Sequence, residues 1–327
     1  MKMNIEVFRY AAVPVQMNVK KGETVVILTD DKVNYEIQEA LVAAVYYEGA
    51  TPILVRIPPA DSFGNEPHKV AAAALLEADL ILSACSTAMT HTDAIREALK
   101  SGARYLAMGG ITIESLTNGA ATANYEEVTE TSLQIAEILD ACKRIRVTSS
   151  IGTDLTFSLE GRPSFPLTGV ISGQRKIAAF PDGEVATAPV EGTANGTIVI
   201  DGVIHHIGKV SSPIELTIKD GFVTRIEGNE DAQKLERFLN ERGDANSFNL
   251  GEFAIGTNKK ARLADNAQES KKMLGTIHFA LGDNRTLAGH TYSKTHIDCL
   301  ILKPNVWIDE KQFIAEGIIL KEAIVKL

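Results

Sequence analysis

Lys21-Gly22-Glu23-Thr24-Val25-Val26-Ile27-Leu28-Thr29-Asp30-Asp31 opens on a turn, runs through four consecutive apolar residues and closes on two acids. An unbroken apolar run of this length is the pattern of a strand buried on both faces; a strand with one wet face would alternate. A helical pattern follows from Asn34 to Tyr47 and stops at Gly49, the residue type that ends helices most often. The same alternation then repeats: strand Pro52 to Arg56 closed by Pro58-Pro59, an Ala-rich helix from His68 to Glu77, strand Leu80 to Leu82, helix Asp93 to Lys100, strand Tyr105 to Met108, and a long helix from Tyr125 to Lys143. Buried strands alternating with helices predict a parallel, Rossmann-like α/β domain over residues 1–145. Gly109-Gly110 is followed by Ile111, which makes neither a dinucleotide fingerprint nor a P-loop. Ser83 to Met89 reads as a small-residue loop and His91 as decoration of the next helix. This domain is therefore expected to be scaffold and not a nucleotide site.

From Arg146 the texture changes. Short strands punctuated by Gly and Pro are predicted at Val147 to Ser149, Asp154 to Leu159, Glu184 to Ala188 and Gly196 to Ile200. Glu215 to Ile218 and Phe222 to Ile226 flank Lys219-Asp220-Gly221, a hairpin signal. One helix is expected from Asp231 to Glu241, further strands near Phe253, His278 and His296, and a closing segment from Ile318 to Val325. Residues 146–327 thus read as a β-rich α+β domain, and 327 residues suit two cores better than one.

Composition narrows the function. A net charge of -9 disfavours nucleic acid as a partner. The three cysteines, Cys85, Cys142 and Cys299, form no CxxC pair, so neither a disulfide framework nor a thiolate zinc site is indicated. The N-terminal residues lack a signal-peptide core, and apolar runs such as Leu41 to Tyr47 are too short to span a bilayer. A cytoplasmic protein without a membrane partner is the expectation.

Four segments of the second domain carry candidate chemistry. In Thr295-His296-Ile297-Asp298-Cys299-Leu300-Ile301-Leu302, strand alternation puts His296 and Asp298 on one face and Ile297 and Cys299 on the other. Gly275-Thr276-Ile277-His278-Phe279-Ala280-Leu281-Gly282 sets one histidine in an apolar strand. In Asn249 to Gly256, Glu252 is the only charge, and a buried lone carboxylate costs several kcal/mol unless a cation meets it. Glu184 opens a short apolar strand after Asp182-Gly183. Three carboxylates and two imidazoles are ligands for hard or borderline divalent ions, enough for a two-metal cluster about 3.5–4 Å across. Each segment also has a structural reading, as a hydrogen-bonded His–Asp pair or a satisfied core histidine.

At these segments the chain resembles the M29 metallo-aminopeptidases of the aminopeptidase T and aminopeptidase S type. The resemblance covers most of the chain. It includes the Lys21-Gly22-Glu23 opening, Ile151-Gly152-Thr153-Asp154-Leu155, Glu184-Val185-Ala186-Thr187-Ala188-Pro189, Gly251-Glu252, His278 to Gly282 and His296 to Asp298. It implies a homodimeric leucyl-type aminopeptidase acting on a short peptide or small amide. Two zinc, cobalt or manganese ions would be held by Glu184, Glu252, His278, His296 and Asp298, with Asp298 or Glu252 bridging. Glu252 is the candidate general base for the metal-activated water. The family's catalytic Tyr, seven residues after the third-motif histidine, is replaced here by Arg285, whose guanidinium is the candidate oxyanion group; Tyr292 lies nearby in sequence.

The same superfamily contains the 2,5-dihydroxypyridine 5,6-dioxygenases, which use one Fe(II) held by two histidines and a carboxylate. Chain length and Gly282-Asp283-Asn284 ahead of His296 resemble that branch. The dioxygenases carry His where Glu252 stands and lack counterparts of Glu184 and His278, and the fuller ligand set favours hydrolysis over the dioxygenase alternative. A metal-stabilised binding protein without turnover is the third reading. His205, His206, His290 and Lys294 are read as loop residues around the site.

Overall fold

The computed structural model describes residues 4–60, 65–173, 175–265 and 267–320. They form two compact units, each with its own core.

The first unit holds a five-stranded sheet ordered Thr51–Ile57, Thr24–Asp30, Leu80–Ala84, Arg104–Ala107, Ile177–Ala179, with every pair parallel. The Val25 to Leu28 run is fully buried, as its lack of alternation requires. Helices Tyr35–Tyr47, Lys69–Leu76 and Asp93–Ser101 begin where the sequence places them. Asn34 and Thr92 cap two of them through side-chain oxygens, and His68 caps the third through its ring nitrogen. An unexpected helix, Ile5–Asn18, precedes the first strand and contains Pro14. It lies outside the elements read from the sequence, and an internal proline normally argues against a helix.

A single cut at 145/146 does not describe the packing. The first unit runs to Thr122 and takes back Thr168–Asp182, because Ile177–Ala179 pairs with Arg104–Ala107. The second unit claims the helix Tyr125–Asp140, whose Ile135 and Leu139 are buried in that unit's core.

The second unit contains two antiparallel sheets. The larger is ordered Phe222–Glu227, Ile214–Lys219, Asn195–Ile200, Asp154–Ser158, Arg144–Thr148, Asn305–Ile308, Lys311–Ala315, Ile318–Ile319. The other is ordered Gly208–Lys209, Val203–Ile204, His296–Ile301, Ile277–Gly282, Leu250–Gly256, Glu184–Thr187, Phe165–Leu167. The expected hairpin turns through Asp220 (φ 48°) and Gly221 (φ 81°), the two left-handed positions that its tight turn demands. The helix Glu230–Asn240 is capped by Asn229. Phe157 of the larger sheet meets Phe253 and Phe279 of the other edge-on, with ring centroids 5.2 and 5.9 Å apart. These rings join Ile255, Ile277, Ile297, Cys299 and Ile301 in one core. Of the closing segment, Ile318–Ile319 is a strand, and residues 321–327 lie outside the described residues.

Candidate metal centre

Cross-strand register brings the four motifs to one face of the seven-stranded sheet. Glu184 lies opposite Gly256, Glu252 opposite Ala280, Ala280 opposite Asp298, and Gly282 opposite His296. Directly paired residues share a face, and so do residues two apart along a strand. Glu184, Glu252, His278, His296 and Asp298 therefore all leave the same side of the sheet. The intervening Val185, Phe253, Phe279, Ile297 and Cys299 fill the core on the other side. A bulge between Leu250 and Glu252 sets the register of the Glu252 strand. Gly251 is the extra residue there, and a Cβ on it would come within 2.7 Å of the Gly282 carbonyl oxygen.

The cluster is deeply buried. Glu184, Glu252, His278 and Asp298 are each at most 4% exposed. His278 Nε2 stands 3.2 Å from Glu252 Oε1 and 3.8 Å from Glu184 Oε2. His296 Nε2 stands 2.9 Å from Glu252 Oε2 and 3.4 Å from Asp298 Oδ1. Among the described residues, two groups offer ligand atoms within 4.8 Å of one another: Glu184, Glu252 and His278, and Glu252, His296 and Asp298. Glu252 belongs to both.

Two residues that sequence reading passed over complete the centre. Lys272 Nζ lies 2.6 Å from Glu184 Oε1, and Lys271 Nζ lies 2.9 Å from Asp298 Oδ2 and 3.5 Å from Glu184 Oε1. In sequence, Glu269-Ser270-Lys271-Lys272 looks like an ordinary charged turn. Only the fold turns both ammoniums inward. Burial would raise the Glu184 and Asp298 carboxyls, but the attraction of these cations prevails and holds both below the ordinary carboxylate range. Burial likewise works against charge on Lys271, yet Asp298 and Glu184 hold its ammonium well above the usual lysine value. Glu252 is depressed despite its burial by hydrogen bonds from His278 and His296.

The residues fit a metal. Glu184 Oε2, Asp298 Oδ1 and His278 Nδ1 are buried and accept or donate no hydrogen bond. A buried polar atom left in that state costs about 1–3 kcal/mol, and more when charged, which a cation at the carboxylates would relieve. His296 is held as a metal ligand would be: its Nδ1–H donates to the Asp283 carbonyl oxygen at 2.9 Å, which aims Nε2 at Glu252 and Asp298, where a metal ion would take the place of the proton that Nε2 donates to Glu252.

Arg285 is not brought into the cluster. It lies in the single turn Arg285–Leu287, with a side chain 55% exposed, pairs with Asp283 at 2.8 Å and sits 4.2 Å over the Tyr292 ring. His205 approaches: its backbone N–H donates to the Asp298 carbonyl at 2.9 Å, and its ring stacks on His206 at 4.0 Å. Burial pushes its imidazole down to about 4, so it is neutral at neutral pH. His290 and Lys294 are exposed, and their backbone N–H groups are held by Glu191 and Asp244.

Comparison with known proteins separates the two enzyme readings. The model of the family described as NicX, 2,5-dihydroxypyridine 5,6-dioxygenase, matches residues 7–321. The chain belongs to that family. It is 23% identical to the 2,5-dihydroxypyridine 5,6-dioxygenase of Pseudomonas putida KT2440 over 75% of this chain and 71% of that protein. The fold is similar to the solved structure of the P. putida KT2440 dioxygenase (TM-score 0.80, 19% identity, 98% of this chain and 99% of that one). It is also similar to AmpT of Thermus thermophilus (TM-score 0.69, 16% identity, 98% and 100%). The fold expected from the aminopeptidase resemblance is thus present, shared with AmpT. Membership in the dioxygenase family favours the alternative reading over the aminopeptidase one, and the chain stands among metal-binding enzymes. Among the described residues, no helix is long and apolar enough to cross a membrane.

Proposed function

We propose that this chain is an iron(II)-dependent ring-opening dioxygenase for a hydroxylated nitrogen heteroaromatic, with one metal ion per chain held by Glu252, His296 and Asp298. The observation that carries it is the match to the dioxygenase family from residue 7 to 321; the three-ligand group supplies the cation site, with Glu252 standing where those dioxygenases carry a histidine, so that two carboxylates and one imidazole replace one carboxylate and two imidazoles. Bound iron would supply the redox chemistry that joins dioxygen to an electron-rich ring.

The protein's own residues prepare the site for that chemistry. Asp283 fixes the His296 tautomer through its main-chain oxygen. His278, fully buried, holds Glu252 Oε1 at 3.2 Å and so positions a ligand carboxylate. Lys271 keeps Asp298 ionised, hence competent to bind a cation across the physiological pH range. Ala254 and Ala280, both fully buried, occupy the sheet face between the charged residues and keep side-chain bulk low there.

The second reading, a dinuclear amide hydrolase, draws support from one observation: Glu184 and His278 also converge on Glu252. Against it stand the ion pair of Glu184 with Lys272 and the surface position of Arg285. The two readings part in one experiment. Protein reconstituted anaerobically with Fe(II) is given 2,5-dihydroxypyridine and related hydroxypyridines in an oxygen electrode. Oxygen uptake with loss of ring absorbance is expected. No uptake with any of them, together with amide hydrolysis by the zinc-, cobalt- or manganese-loaded protein, would overturn the proposal.

A further inference from the structure

We propose that Lys271 and Lys272 act as a built-in counter-ion that takes the place of a second metal and keeps this centre mononuclear. The inference rests on the single-ion reading above and gives it a cause.

Charge and placement carry it. Three carboxylates, Glu184, Glu252 and Asp298, share one buried pocket with two ammoniums. The five side chains together hold a net charge of minus one. One divalent cation brings the pocket to plus one, whereas two would leave plus three in a medium of low dielectric constant, where like charges repel strongly. Both ammoniums contact Glu184, a donor that belongs only to the group a second ion would use. Lys272 Nζ contacts Glu184 Oε1 at 2.6 Å, and Lys271 Nζ reaches Glu184 and Asp298 at once, as a bridging cation would. The other oxygen of Glu184 is buried, without a hydrogen bond, and 3.8 Å from His278 Nε2. Glu184, Glu252 and His278 thus retain the donors of a second site while the lysines occupy its charge.

Removing both ammoniums makes room. In Lys271→Met/Lys272→Met, two divalent ions would leave the same net charge that one leaves in the native pocket. The measurement is Mn(II) stoichiometry by elemental mass spectrometry on full-length protein refolded in excess Mn(II) and passed through gel filtration. Electron paramagnetic resonance of the same samples distinguishes an isolated ion from an exchange-coupled pair.

One ion in the native chain, two coupled ions in the double Met variant, and one in Lys271→Arg/Lys272→Arg is the expected set. Adding Glu184→Gln to the double Met variant should return it to one ion. Two ions in the native chain would refute the single-ion reading itself. One ion in both the native chain and the double Met variant would refute only the role given to the lysines. A double Met variant that fails to fold even with Mn(II) in excess would refute it too, since a metal could then not replace the ammoniums. Two ions persisting after Glu184→Gln would put the second ion elsewhere and overturn the assignment.

Discussion

Gly256→Ala tests the packing that aims the lysines at the cluster. Gly256 ends the Glu252 strand and faces Glu184 across the sheet. A Cβ there would come within 2.1 Å of the Met273 carbonyl oxygen, 2.8 Å of its carbonyl carbon and 2.9 Å of the Lys272 carbonyl carbon. Ordinary contact begins near 3.4 Å, so the turn that follows the two lysines must retreat by about 1.3 Å. No side-chain rotation can relieve a clash with main chain. Overpacking of this kind costs about 1–3 kcal/mol. The retreat also stretches the bonds from Gly256 N–H to the Thr276 carbonyl and from Gly275 N–H to the Gly256 carbonyl, both 3.0 Å, each worth about 1 kcal/mol. A loss of about 3 kcal/mol is expected. Gly161→Ala is the control: its Cβ would meet nothing within 4 Å, so only the left-handed backbone at φ 77° is penalised, by about 1–2 kcal/mol. Trp307, the single tryptophan, lies in the second unit and reports its unfolding in urea. A midpoint for Gly256→Ala at or above that of Gly161→Ala would refute the reasoning.

Three further outcomes follow from the same structure. His296→Ala should weaken divalent-metal binding at least about 10-fold; unaltered metal retention on dialysis would count against the ligand assignment. Asp231 receives hydrogen bonds from the Ser211 hydroxyl and N–H and from Lys234, which hold its carboxyl well below the ordinary carboxylate value. The stability it contributes, about 1 kcal/mol after solvent screening, is full above pH of about 4 and disappears as pH falls through the depressed folded value. The gap between the native chain and Asp231→Asn should therefore close in acid, and a gap constant down to the acid transition would contradict this. Burial pushes the Cys85 and Cys142 thiols up to about 12 and Cys299 higher still. A disulfide reagent at pH 8 should thus find no reactive thiol in the native protein and three after denaturation.

Sequence alone determined most of the elements, though not the helix Ile5–Asn18, and marked the candidate donors. Continuous apolar runs announced the parallel strands because burial on both faces leaves no polar alternation, and Asn34 and Thr92 marked helix starts because caps are local. Two-residue periodicity was enough to put His296 and Asp298 on one face, and the lone charge in Leu250–Gly256 was enough to mark Glu252 as needing a cation. Tertiary structure decided what those signals left open. Ile177–Ala179 joins the first sheet through a partner some seventy residues earlier, a pairing that three residues cannot encode locally. The helix Tyr125–Asp140 has an apolar face but nothing in its sequence says which core receives it. Lys271 and Lys272 show the limit most clearly. Inward and outward lysines share one chemistry, and only strand register and the turn at 271–273 place their ammoniums against Glu184 and Asp298, where they decide how much positive charge the centre can still accept.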